Sequence, residues 1–140
     1  MPRDNYWLKI QLFRVWDEFF PDIPKLNTIH VSFGRSAKRR LASIRQLRYN
    51  DKSSDTRILV TGYYRDERVP ETVITATLAH ELCHYAHGFA SPLPQFSRYP
   101  HKGDIVDREM IKRGLKDHLS FQEKWLKDHW NHVTGDKIFR

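Results

Sequence analysis

Apolar and polar residues alternate along this chain with two clear periods, and the switches between them mark out the elements. From Asn5 to Phe20, Tyr6, Trp7, Ile10, Phe13, Trp16 and Phe20 recur at steps of three and four, as on one face of a helix. Pro21 and Pro24 end that helix, since proline has no N–H to continue the ladder. Thr28 to Phe33 then alternates with period two and stops at Gly34, which predicts a strand. A weaker alternation runs through Leu41, Ser43, Arg45, Leu47 and Tyr49. Arg57 to Tyr64 is the strongest strand signal, and the turn-like stretch Asn50 to Asp55 before it suggests meander pairing with its predecessor.

Helical spacing returns at Val73, Ile74, Thr77, Leu78 and Leu82, with Pro70 and Glu71 as start signals and Gly88 as the stop. Residues 88–103 are rich in glycine, proline and serine and read as a loop. Asp104 to Arg113 reads as a helix through Ile105, Val106, Met110 and Ile111, closed by Gly114. Asp117 to Val133 reads as a last amphipathic helix through Leu119, Phe121, Trp125, Leu126, Trp130 and Val133. The predicted class is α+β: an N-terminal helix, a small three-stranded sheet, a central helix, then a loop and two C-terminal helices.

At 140 residues, with 39% hydrophobic and 13% aromatic content, the chain is sized for one domain with one core. Cys83 is the single cysteine, so neither an intrachain disulfide nor a cysteine-based zinc ribbon can form. That favours a reducing, cytoplasmic setting. Arg3, Asp4, Lys9 and Arg14 interrupt every apolar run near the start, which argues against a signal peptide, and no stretch is long enough to cross a bilayer.

The chemistry concentrates in His80-Glu81-Leu82-Cys83-His84 on the central helix. Residues four apart share a helix face, so His80 and His84 can offer two imidazoles to one metal ion. Glu81 is one step round, where a carboxylate can take a proton from a water that the metal has activated. Together they predict a zincin-like hydrolase site for Zn2+. Two imidazoles and a hydrolytic glutamate favour zinc over harder cations.

A catalytic zinc takes three protein ligands, and the helix supplies two. The metzincin extension does not fit, because His87 and Ala90 stand where a glycine and a third histidine would be needed. His101, in the proline-rich loop, can turn back over the helix and is the first choice; Glu109 and His118 are its rivals. His87 is about 10 Å of rise from His80, so one ion cannot take both, and a packing or capping role is expected. His129 and His132 lie three apart on the last helix as a weaker pair. His30 falls on the outer face of the first strand. For the oxyanion donor, Tyr63, Tyr64, Tyr85 and Tyr99 are all open candidates.

His80 to His84, a loop, then Pro100-His101-Lys102-Gly103 ahead of a helix carrying Met110, resembles the SprT-like metallopeptidase domain shared with Spartan-type DNA-dependent proteases. In that family a histidine followed by glycine is the third zinc ligand, which the resemblance carries over to His101. Here Lys102 separates His101 from Gly103, and Ile105-Val106 replace the usual aromatic. The resemblance covers residues 5–114, with 117–133 as an additional C-terminal helix of a single domain spanning 1–140. It implies a zinc metalloendopeptidase acting on DNA-associated or DNA-crosslinked proteins.

The net charge of +7 is unevenly placed, with Arg35, Lys38, Arg39, Arg40, Arg45 and Arg48 in one stretch that contains no acid. Such a cluster suits a phosphate backbone, so these six are the expected DNA contacts. The other reading of that charge is a solvated face. The main expectation is therefore hydrolysis of protein or peptide substrates, with His80, His84 and His101 on zinc and Glu81 as general base. The alternative is a nucleic-acid-binding module whose zinc site is structural, closed by a further protein ligand in place of water.

Overall fold

A computed structural model describes residues 2–96 and 104–135 of the chain. Its elements are α1 (Asn5–Phe19), β1 (Ile29–Phe33), β2 (Ala42–Gln46), β3 (Thr56–Val60), a 3₁₀ turn (Gly62–Arg65), α2 (Glu71–Ala86), α3 (Ile105–Lys112) and α4 (Lys116–Gly135). This is an α+β arrangement of four helices and a small mixed sheet. Among the described residues no helix is long and apolar enough to cross a membrane.

Strand order is β1-β3-β2, with β1 parallel and β2 antiparallel to the central β3. The two expected neighbours β2 and β3 do pair. Because β2 lies on the far side of β3 from β1, residues 34–41 must cross over the end of β3 to reach it. The crossing is tight: a Cβ on Gly62 would stand 2.8 Å from the Gly34 carbonyl oxygen, so Gly62 has no room for a side chain. This contact explains why β3 stops at Val60 and the chain turns into a 3₁₀ segment, where the apolar pattern alone would carry the strand on to Tyr64.

Period-two alternation gives the sheet one covered face. Phe33, Ile44, Ile58 and Val60 are buried towards the helices, while His30 and Arg45, on the opposite face, are exposed. In β2 the inward residue is thus Ile44; Leu47 and Tyr49, the apolar members of the weaker alternation, are exposed. His30 bonds Asp55 at 2.8 Å on the outer face.

Helix α1 starts at Asp4, whose carboxylate accepts a hydrogen bond from the Trp7 N–H at 2.8 Å. Its buried face is Trp7, Leu8, Leu12, Val15 and Trp16, whereas Tyr6 is 70% exposed and Ile10 39% exposed. The face is rotated from the aromatic stripe read in the sequence. Leu8, Leu12 and Val15 follow the same steps of three and four, and the helix turns these aliphatic side chains inward. Helix α2 is the hub, touching α1, α3, α4 and β2. Val73, Ile74, Thr77, Leu78 and Leu82 are all buried on it, as their spacing requires.

Candidate metal centre and its cleft

Burial on α2 brings the His-Glu-x-x-His residues to one place. The His80 and His84 rings lie on successive turns with centroids 4.9 Å apart. His84 is buried and its ring is 5.5 Å from that of Phe89, while His80 is half-buried at the mouth of a cleft. Glu81 is only 6% exposed, and burial pushes its carboxyl up to about 7, opposed by the positive charge of Arg40. Two imidazoles one turn apart supply two of the three protein ligands that a catalytic zinc takes, with a desolvated carboxylate beside them.

His101, the expected third ligand, and Tyr99 lie outside the described residues. Among the described residues no group of three or more His, Cys, Asp or Glu side chains comes together where a metal could sit. Glu109 is engaged elsewhere: one carboxylate oxygen meets His87 Nε2 at 3.1 Å and the other accepts from Arg113 Nε at 2.7 Å. His118 packs edge-on against Phe19, with ring centroids 5.5 Å apart. His129 and His132 are adjacent on α4, with ring centroids 6.3 Å apart. His87 is buried, stacked on Phe96 at 4.7 Å, and serves as a packing residue. Cys83 is buried on the helix flank, and desolvation raises its thiol far above the usual range, which leaves it unreactive.

The segment after α2 is fastened to the sheet. Gly88 has φ +78°, and a Cβ there would clash with the Pro94 carbonyl oxygen. Lys52 Nζ donates to the Gly88 carbonyl at 2.8 Å, and Thr56 Oγ1 to that of Ala90 at 2.7 Å. Ser91 Oγ donates to the Tyr85 carbonyl at 2.8 Å. These bonds set the backbone that leads away from His84.

A cleft of about 470 Å³ opens over His80 and Glu81, walled by Arg39, Arg40, Leu41, Ala42, Thr77 and Gln122. A second hollow of about 340 Å³ adjoins it through His80, Glu81, Arg40 and Ala42, and is walled further along by Ile44, His84 and Phe89. Both run beside β2, an edge strand. Leu41 O accepts from Thr61 N at 2.8 Å, and Leu47 N donates to Asp55 O at 2.8 Å. The odd-numbered residues of β2 therefore turn their N–H and C=O groups to β3. Ala42, Ile44 and Gln46 turn theirs outward along the sheet edge.

None of the candidate donors Tyr63, Tyr64 and Tyr85 lines the cleft. Tyr64 is buried, with its hydroxyl 2.8 Å from Thr77 Oγ1 and its pKa pushed up to about 12 by burial. Tyr85 donates to Asn27 Oδ1 at 2.7 Å, and Tyr63 packs edge-on against Trp130. Gln122 of α4 stands at the cleft instead, its Nε2 donating to Thr77 Oγ1 at 2.7 Å. Thr77 donates in turn to the Val73 carbonyl at 3.0 Å, so both lone pairs of its hydroxyl are left to accept from Gln122 and Tyr64. Local sequence carried no sign of Gln122, because it reaches the site from an element 45 residues away.

The basic stretch is divided by the fold. Arg35, Lys38, Arg39 and Arg40 ride on the crossing between β1 and β2, Arg45 projects from the outer face of the sheet, and Arg48 pairs with Asp51 at 3.5 Å. No family model, curated protein or solved structure matches the chain.

Proposed function

We propose that the chain is a zinc-dependent metallopeptidase, of the SprT-like kind that its sequence resembles. The observation that carries this reading is the buried Glu81 carboxylate between His80 and His84 at the floor of an open cleft. A structural zinc site has no use for such an acid, and an acid buried only for packing is rare, because desolvation opposes its charge.

His80 and His84 would hold the ion, with His101 as the expected third ligand. Bound there, zinc supplies a water of pKa near ~7 and polarises the scissile carbonyl. Glu81 accepts the proton of the attacking water and returns it to the leaving amine. The outward N–H and C=O groups of Ala42, Ile44 and Gln46 can pair with an extended polypeptide, the mode by which a sheet edge binds a strand. Such a substrate would lie along both hollows with one peptide bond over Glu81. That arrangement suits flexible protein segments better than small molecules.

The test is casein cleavage by zinc-loaded protein, wild type beside Glu81→Gln. Cleavage should fall by about 10²- to 10⁴-fold in the variant while zinc stays bound. An active Glu81→Gln protein would sink the mechanism. Zinc held tightly by a wild type that cleaves nothing would favour the structural binding module.

A further inference from the structure

The two halves of the cleft differ in chemistry. Arg40 borders both halves, whereas Arg39 and Gln122 wall only one of them and Ile44, His84 and Phe89 only the other. Apart from Glu81, no carboxylate lines either half among the described residues. Arg39 and Arg40 are exposed and make no ion pair among the described residues.

Their backbone is nevertheless pinned. Gly62 N donates to the Arg35 carbonyl at 2.9 Å, Thr61 Oγ1 to that of Ala37 at 2.7 Å, and Trp130 Nε1 to that of Lys38 at 2.9 Å. Three anchors in four residues hold the crossing just before the two arginines. Two cations on a fixed loop, beside a cleft whose one carboxylate among the described residues is Glu81, form a receptor for an anion within the cleft.

We propose that Arg39 and Arg40 select substrates with an acidic residue on the carboxyl side of the scissile bond; this rests on the peptidase reading above. The side follows from the strand direction. β2 runs from Ala42, at the arginine end, towards Gln46. A substrate paired antiparallel to it, the stronger ladder, runs from the Ile44 and Phe89 half to the arginine half. Its residues after the reacting bond therefore meet Arg39 and Arg40 together, and those before it meet Ile44, His84 and Phe89, with Arg40 alone at the border. A peptide fits this placement better than a nucleic acid does. The two arginines flank a cleft beside a free strand edge, and Arg45 and Arg48, which a continuous phosphate track would need, are turned elsewhere or paired.

The experiment is digestion of a mixed peptide library by zinc-loaded wild type and by the Arg39→Gln/Arg40→Gln double variant, with cut sites read by mass spectrometry at low salt. Asp and Glu should be enriched about three- to tenfold within two positions after the cut, and the enrichment should vanish in the double variant. Cleavage without that enrichment, or enrichment that survives the double substitution, overturns the proposal and leaves the peptidase reading intact. A second arm measures fluorescence anisotropy of labelled Glu-rich and Lys-rich peptides with Glu81→Gln protein. If no peptide is cut by wild type, the peptidase reading fails. In that case, arginine-dependent retention of the Glu-rich peptide alone still supports the anion receptor, and equal binding of both peptides overturns it. A short DNA duplex that binds through the same two arginines and displaces the Glu-rich peptide would assign them to nucleic acid and overturn the proposal.

Discussion

Trp130 Nε1 donates to the Lys38 carbonyl at 2.9 Å, which ties the last helix to the loop that carries the cleft's two arginines. The indole is 9% exposed and packs edge-on against Tyr63 and Tyr64, so it serves the core and the cleft together.

Trp130→Phe should keep most of the packing and lose the donor. The expected cost is about 1–2 kcal/mol in urea unfolding. Amide exchange at Arg39 to Leu41 should quicken by more than global destabilisation explains. Exchange that changes only in step with global stability would show that the bond does not hold the loop.

Acid sensitivity should trace to the cluster joining α1, α2 and α3. Burial alone would raise the Glu109 pKa, but the bond from His87 and the charge and bond of Arg113 outweigh it and hold it below the usual range. Asp22 is lowered chiefly by its bond from Arg113, 2.7 Å away. Both are carboxylates with depressed folded-state values. Their stabilisation is fully present above the unfolded values of about 4–4.5 and is lost as pH falls through the lower folded ones. Glu109→Gln should cost about 1 kcal/mol at pH 7, a modest figure because the group is partly exposed and screened. The gap between the variant and wild type should shrink on going to pH 3.5. Equal gaps at both pH values would contradict the linkage.

Two glycines with positive φ should respond differently to alanine. Gly114 has φ +89° with nothing within 4 Å of an added Cβ, so Gly114→Ala should cost only the backbone strain, about 1 kcal/mol. Gly88→Ala adds a clash with the Pro94 backbone, just past α2, and should cost more than about 2 kcal/mol. It should also weaken zinc binding. Equal shifts in melting temperature would mean the turn after α2 yields easily.

The central helix was legible in the sequence because one amphipathic segment carries its own start, apolar face and stop, and its spacing brings His80, Glu81 and His84 to one place. The sheet was legible as three strands but not in its order, since placing β2 beyond β3 depends on the Gly34–Gly62 contact rather than on any pattern within a strand. The α1 face was legible only in part, through Trp7, Trp16 and Phe20, for a different reason. Two apolar stripes overlap on that helix, and only packing decides that Leu8, Leu12 and Val15 turn inward while Tyr6 and Ile10 stay outside. The division of the basic stretch, and the arrival of Gln122 at the cleft, are long-range consequences of topology that local spacing cannot contain.

The most direct test of the account is zinc content per chain for wild type beside His80→Ala, His84→Ala, His101→Ala and Glu109→Ala, each checked for folding by circular dichroism. The expected result is one equivalent in wild type and in Glu109→Ala, with binding lost or loosened in each of the three histidine variants. Stoichiometric zinc that survives His80→Ala and His84→Ala, or a folded wild type that binds none, would contradict it.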